Sequence, residues 1–252
     1  MISFNKLPFI AGPLAGGLSI LAARTPLPLV LRAPLFVGGL LAVTMSAAAV
    51  LTTWWVFGAS ARHRWDWVGR AANRPNRWLN LTTGFDDSTP ILRQQLGGQG
   101  RSLDVFDSAK DHEPALKRAR DRFPPEGRPV SPTALDDEIE PASADAVLLL
   151  MSAHEAHGPD RVELFRSAAR ALTPDGRLVV VEHLRDLANT LAFGRGAWHF
   201  STRTEWLAVA EAAGLALTVE TRLSPFVAGF VFTRKGAPGR PAPRLPAVPE
   251  LA

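Results

Sequence analysis

The chain has no cysteine and no tyrosine among its 252 residues. Without cysteine there are no disulfides, no thiolate chemistry and no cysteine-ligated zinc. Without tyrosine little titrates between about pH 8 and 10, so the pI near 10.3 overstates the basicity of a chain with a formal net charge of +4. Charge is also missing locally. Before Arg62 the only ionisable side chains are Lys6, Arg24 and Arg32, and none is acidic. What is basic is mostly arginine spread along the chain, with no stripe interleaved with aromatics, so no nucleic-acid partner is expected. One cluster stands out, Arg62, His63, Arg64, Arg70, Arg74 and Arg77, and it directly follows the hydrophobic region.

That region divides the chain into two physical objects. Leu35 to Phe57 reads LFVGGLLAVTMSAAAVLTTWWVF. About 20 apolar residues, at roughly 1.5 Å each, cross the ~30 Å of a bilayer's hydrocarbon. Trp54 and Trp55 followed by the arginine cluster have the pattern of an interfacial anchor and a positive-inside flank. The alternative is a buried core helix; the length and the basic end argue against it. The earlier run Leu7 to Ala23 contains Pro13 and the pair Gly16 and Gly17, and can be a second span, a re-entrant segment or a signal-peptide core. A second span is preferred, because Gly12 and Gly16 offer a small face to Gly38, Gly39, Ser46 and Ala49. A hairpin, or a cleaved leader followed by one span, each leaves everything after Arg62 in the cytoplasm, at what is expected to be a bacterial inner membrane. The expected organisation is a transmembrane hairpin over 1–61, a basic juxtamembrane linker over 62–77, an α/β domain over 78–235 and a proline-rich disordered tail over 236–252.

After the linker, strand and helix patterns alternate. Trp78 to Thr82 predicts a strand, Ser88 and Thr89 cap a helix with Pro90 in its first turn, and Gly97-Gly98 stops it. Leu103 to Phe106 predicts a second strand, Asp111 to Phe123 a solvated helix, and Pro129 to Ser131 a weak third strand. Ala146 to Met151 is continuously apolar, as a central strand buried on both faces must be. The helix Asp160 to Leu172 sets Val162, Phe165, Ala169 and Leu172 on one face, and Arg177 to Val181 is another buried strand. Thr202 with Glu205 has capping-box spacing. Leu215 to Thr221 and Phe226 to Thr233 can pair as a hairpin. Such alternation implies an α/β fold with a mostly parallel sheet and helices on both faces.

The stretch ADAVLLL…HE…LFRSAARALTPDGRLVVVEH, with the closing hairpin, resembles the class I S-adenosylmethionine-dependent methyltransferases. The resemblance spans Trp78 to Lys235. It implies a Rossmann-like fold with a seven-stranded, mostly parallel sheet and an antiparallel closing hairpin. It also implies S-adenosylmethionine as cofactor. The glycine-rich turn that follows the first strand in that family corresponds here to Asn80-Leu-Thr-Thr-Gly84-Phe85-Asp86, with one glycine and with Asn80 in place of an acid. The resemblance thus implies cofactor contacts at Asn80, Gly84, Asp86, Asp107 (for the ribose) and Thr133 (near the adenine), although Asp86 can instead cap the next helix.

Ligands in open α/β sheets sit at the carboxyl ends of the strands. His154 and Glu155 follow one such end, Glu182 and His183 the next, and His199 lies beyond a glycine- and aromatic-bearing segment, Asn189 to Phe200, that is a candidate roof. These five can supply a general base. Imidazole and carboxylate also suit a divalent metal, although no metal is assigned. The expected activity is a membrane-anchored methyltransferase acting on a hydrophobic small molecule such as a lipid, quinone or pigment, with the lipid bilayer as a second partner. The alternative is a non-catalytic interaction module on the same fold.

Overall fold

A computed structural model describes residues 6–54, 65–83, 86, 88–107, 114–122, 125 and 129–237. Trp55, Arg62, His63, Arg64, Gly84 and the tail from 238 lie outside the described residues. The described chain divides into two compact units. One holds the N-terminal helices with Asp186–Trp198; the other holds the rest from Arg62, resuming at His199.

In the first unit α1 (Lys6–Ala22) and α2 (Leu29–Trp54) pack against each other. The contact is close because it is built of small residues. A Cβ placed on Gly16 would lie 2.7 Å from the Gly39 carbonyl oxygen, and one on Gly39 the same distance from that of Gly16. Gly12 faces Ser46, whereas Gly38 faces open space and takes no part in the seam. Only side chains without Cβ bulk let two backbones approach so closely. Among the described residues α2 alone is long and apolar enough to cross a membrane. It is not a core helix, since Leu29 and Leu51 are 76% and 64% exposed. A further helix, α8 (Leu187–Phe193), packs on α2, where Met45 approaches Gly194. Asp186 caps it by accepting the Asn189 N–H at 3.0 Å.

The second unit begins earlier than the sequence pattern suggests. From Trp65 the supposed linker is folded: Trp65, Val68 and Ala71 are buried around the short helix α3 (Val68–Ala71), and the Arg177 guanidinium donates to the Ala71 carbonyl at 3.0 Å. Arg77 opens β1 (Arg77–Thr82) and pairs with Asp145. There follow α4 (Thr89–Leu96), β2 (Gln99–Asp104), α5 (Pro114–Arg122), α6 (Leu135–Glu138), β3 (Ala144–Leu150), α7 (Gly158–Ala171), β4 (Leu172–His183), α9 (Arg203–Ala212), β5 (Leu215–Ser224) and β6 (Val227–Arg234).

The sheet order is β2-β1-β3-β4-β6-β5, parallel through β4 and antiparallel at the closing hairpin. Among the described residues it has six strands, where seven were expected. The expected strand at Pro129 to Ser131 is reduced to one parallel bridge between Val130 and Val105, too short and proline-broken to extend. β3 and β4 lie in the interior, and their apolar runs are buried as expected. Phe165 of α7 stacks on Trp206 of α9 with ring centroids 6.0 Å apart, joining the two helices over the sheet. Of the face expected for α7, Phe165, Ala169 and Leu172 are buried and Val162 is half-buried, and Arg161, Leu164 and Ala168 widen the buried side. The Thr202 capping box forms as predicted. Gly98, at φ 65, turns the chain into β2 where any Cβ would strike the Asn76 carbonyl.

Candidate active site

β3 and β4 are parallel neighbours with Leu150 opposite Val181, so the residues after each strand emerge at one edge. After Leu150 the backbone turns through Met151 at φ 59, a left-handed conformation uncommon for a residue with a side chain. It is held there by the Met151 N–H on the Val181 carbonyl (2.8 Å), while the Ser152 hydroxyl donates to the Leu81 carbonyl of β1 (2.8 Å). The 3₁₀ turn Ala153–Glu155 then presents the histidine and carboxylate.

Glu182, fully buried near the end of β4, receives that turn. One of its oxygens accepts the His154 backbone N–H at 3.2 Å; the other is 2.7 Å from His154 Nδ1. The opposite ring nitrogen, Nε2, lies 3.3 Å from Glu155 Oε1. Both ring nitrogens therefore face carboxylates. Burial disfavours charge on the ring, but Glu182 and Glu155 outweigh it and push the His154 pKa up from 6.5 to about 10. Burial likewise works to raise the Glu155 pKa. Its hydrogen bond to His154 and the neighbouring His154, His199 and His157 rings prevail and hold it below the usual value.

His199 completes the group. Its Nε2 lies 3.9 Å from Glu155 Oε2, and its ring meets that of His154 edge-on at 5.4 Å. It is the more open of the two, with a side chain 30% exposed against 12% for His154.

His183 is placed differently. It is buried, its Nδ1 is 2.9 Å from the Phe226 carbonyl, and its ring stacks on Phe200 at 4.8 Å. The fold thus brings together His154, Glu155, Glu182 and His199, and turns His183 toward the closing hairpin. The segment expected to form a roof divides, because residues up to Trp198 belong to the helical unit and His199 and Phe200 to the sheet unit.

Sequence reasoning missed Arg161. Buried on α7, it donates to the Ala156 and His154 carbonyls and to the Ser201 hydroxyl, pinning the loop that bears the histidine. A charge on the apolar face of an amphipathic helix was its available signal.

The other predicted residues gather at the ends of β1 and β2. Asp107 accepts from the Ser131 hydroxyl at 3.4 Å, and that hydroxyl is 3.0 Å from Thr133 Oγ1. Two of the expected cofactor residues are thereby linked through a third. Thr133 also borders an open pocket lined by Pro159, Asp160, Val162, Glu163 and Arg166. Asn80 and Asp86 instead serve the start of α4. Asn80 Nδ2 donates to Ser88 and Thr89 hydroxyls at 2.9 and 2.8 Å. Asp86 accepts the Ser88 and Thr89 backbone N–H groups with one oxygen and the Ser102 hydroxyl with the other. Asp86 is the functioning cap, since the Ser88 side chain makes no hydrogen bond to the exposed N–H groups. Among the described residues Asn80 Oδ1 is a buried acceptor with no hydrogen-bond partner. Gly84 lies outside the described residues.

Residues 91–180, within the sheet unit, match a family model described as a methyltransferase domain. No curated protein matches the chain. Solved structures similar to it include a SAM-dependent methyltransferase from Aquifex aeolicus, 14% identical over 62% of this chain and 80% of that one, with TM-score 0.45. The O-methyltransferase NcsB1 from neocarzinostatin biosynthesis, solved with S-adenosylmethionine and 2-hydroxy-5-methyl naphthoic acid, is 18% identical over 90% of this chain and 71% of its own, with TM-score 0.47. The mitomycin 7-O-methyltransferase MmcR is 17% identical over 92% and 70%, with TM-score 0.49.

Proposed function

We propose that the chain is a membrane-anchored, S-adenosylmethionine-dependent methyltransferase acting on a hydrophobic small molecule of lipid, quinone or pigment type, its domain facing the bacterial cytoplasm. The observation that carries this reading is the ionisable group His154, Glu155, Glu182 and His199, assembled at the carboxyl edge of the sheet whose central stretch matches a methyltransferase domain. Titratable groups concentrated beside an apolar sheet are unfavourable unless paired, and they mark sites of chemistry.

Asp107, Ser131 and Thr133 would hold the ribose and adenine side of the cofactor, and the unpartnered Asn80 oxygen offers a further acceptor at the same edge. When bound, S-adenosylmethionine supplies an electrophilic methyl group. The chain's own part is to take the acceptor's proton. His199 does so, as the more exposed of the two imidazoles; Glu155 lies beside it, and Glu182 with His154 fixes Glu155. The fully buried Glu182 acts through His154, as a positioning residue.

Anchoring supports the choice of an apolar substrate, since tethering raises its effective concentration at the site. The exposed apolar surface of α2, together with Leu187 and Leu191 on α8, supports the bilayer as partner. Full-length protein is expected to stay with membranes through alkaline carbonate extraction; release into the supernatant would remove the anchor from the reading.

A second reading, a non-catalytic module, is favoured by one observation: Asn80 and Asp86 spend their hydrogen bonds on α4. A calorimetric titration with S-adenosylmethionine separates the two. Saturable binding is expected, weakened in Asp107→Ala by about 1.5–3 kcal/mol, the range for a hydrogen bond to a charged group. No saturation at millimolar ligand would favour the module.

A further inference from the structure

We infer that His154, Glu155 and His199 form a binding site for a divalent first-row transition-metal ion. Their donor atoms, two imidazole nitrogens and a carboxylate oxygen, all lie within 4.8 Å of one another. The His154–Glu155 and His199–Glu155 separations are 3.3 and 3.9 Å. Ligands about 2.1 Å from a common ion stand roughly 3.0–3.4 Å apart, so the side chains need to move by less than an ångström or so.

The surroundings have the form of a metal site's outer layer. His154 faces the other two donors through Nε2, while its Nδ1 lies 2.7 Å from the buried Glu182 carboxylate, which also accepts the His154 backbone N–H. A carboxylate on the far nitrogen of a ligating imidazole fixes the ring and raises its basicity. Besides the donor Glu155, the Glu182 carboxylate lies beside the position. The nearby Arg161 head is directed to the Ala156 and His154 carbonyls and to Ser201.

Two imidazoles and one carboxylate favour zinc, cobalt or iron(II) over magnesium and calcium, which prefer oxygen. Three protein ligands leave coordination positions open; with an ion bound, His199 is a ligand and not the base, and the ion itself would bind an acceptor oxygen and lower its pKa. The site would then favour substrates with a hydroxyl, enol or carboxyl oxygen. The ion site itself does not depend on the methyl-transfer reading.

The test uses the tag-free full chain in detergent, stripped with EDTA, and Co²⁺ as probe, with no S-adenosylmethionine present. One equivalent of Co²⁺ is expected to give visible ligand-field absorption, displaced by one equivalent of Zn²⁺ and unaffected by excess Mg²⁺. His199→Ala and Glu155→Gln should abolish the band. Glu182→Gln, which keeps a carbonyl acceptor for His154, should weaken binding by about 10–100-fold. Absence of a band at millimolar Co²⁺, or wild-type binding in both ligand variants, overturns the assignment. Because no cofactor or substrate is present, neither outcome depends on whether the chain transfers methyl groups.

Discussion

Replacing His199 by alanine should lower turnover by about 10²–10⁴-fold, the usual contribution of a positioned general base, while leaving the affinity for S-adenosylmethionine unchanged. The reasoning is geometric. His154 has a carboxylate on each ring nitrogen, Glu182 at 2.7 Å and Glu155 at 3.3 Å, so neither nitrogen is free to receive a proton from a substrate. His199 is more exposed and has Glu155 at 3.9 Å, close enough to stabilise electrostatically the imidazolium that proton transfer creates. Glu155→Gln should therefore lose nearly as much as His199→Ala. The double variant should be little worse than either, because residues acting as a unit are not additive. His183→Ala, by contrast, should affect stability more than rate, since that ring packs on Phe200 and meets the Phe226 carbonyl. Steady-state rates with cofactor affinity measured in parallel decide the matter. Wild-type turnover in His199→Ala would move the base elsewhere.

The contrast between His154 and His183 shows how much of the site the sequence could disclose. The apolar runs that became β3 and β4 were legible because a strand buried on both faces has no polar positions to confuse its pattern. Their adjacency followed from the helix between them, and with it the convergence of His154, Glu155 and Glu182. But successive residues of a strand point to opposite faces, so Glu182 and His183, both within β4, could not both face the cluster. That argument was available and separates them. The seam between α1 and α2 was legible at Gly12, Gly16, Gly39 and Ser46, because bulk alone decides it; Gly38 missed it by one position on the helix. Asp86 and Asn80 were harder. An acid or amide beside a helix start serves backbone N–H groups as readily as a ligand, and only the folded structure shows which. Arg120 lay beyond reach for a related reason. It sits on a charged helix whose sequence is satisfied by solvent, and its partner Asp104 is on another element.

Arg120 leads to the largest stability effect expected of a single substitution. The helix α5 reads as a solvated face, yet the Arg120 guanidinium makes a two-pronged contact with Asp104 at 2.8 and 2.7 Å and lies 3.7 Å from the centre of the Phe106 ring. The Asp104 side chain is only 1% exposed. A paired, doubly hydrogen-bonded carboxylate can be buried; an unpaired one pays its full desolvation penalty. Arg120→Ala should therefore destabilise the sheet unit by about 3–5 kcal/mol, the usual consequence of removing one member of a buried ion pair. Replacing both members, as in Asp104→Leu with Arg120→Met, should recover most of that loss, because the penalty arises from the orphaned charge and not from the missing attraction. The effect also reaches the site. Asp104 ends β2 and its carbonyl accepts the Val130 N–H, so the same pair stabilises the strand end that leads to Asp107 and holds Val130, next to Ser131 and Thr133. Denaturant titration of the full chain in detergent, followed by tryptophan fluorescence, is the measurement. If Arg120→Ala unfolds at the wild-type midpoint with an unchanged slope, Asp104 must reach water in solution, and the account of how β2 presents Asp107 fails with it.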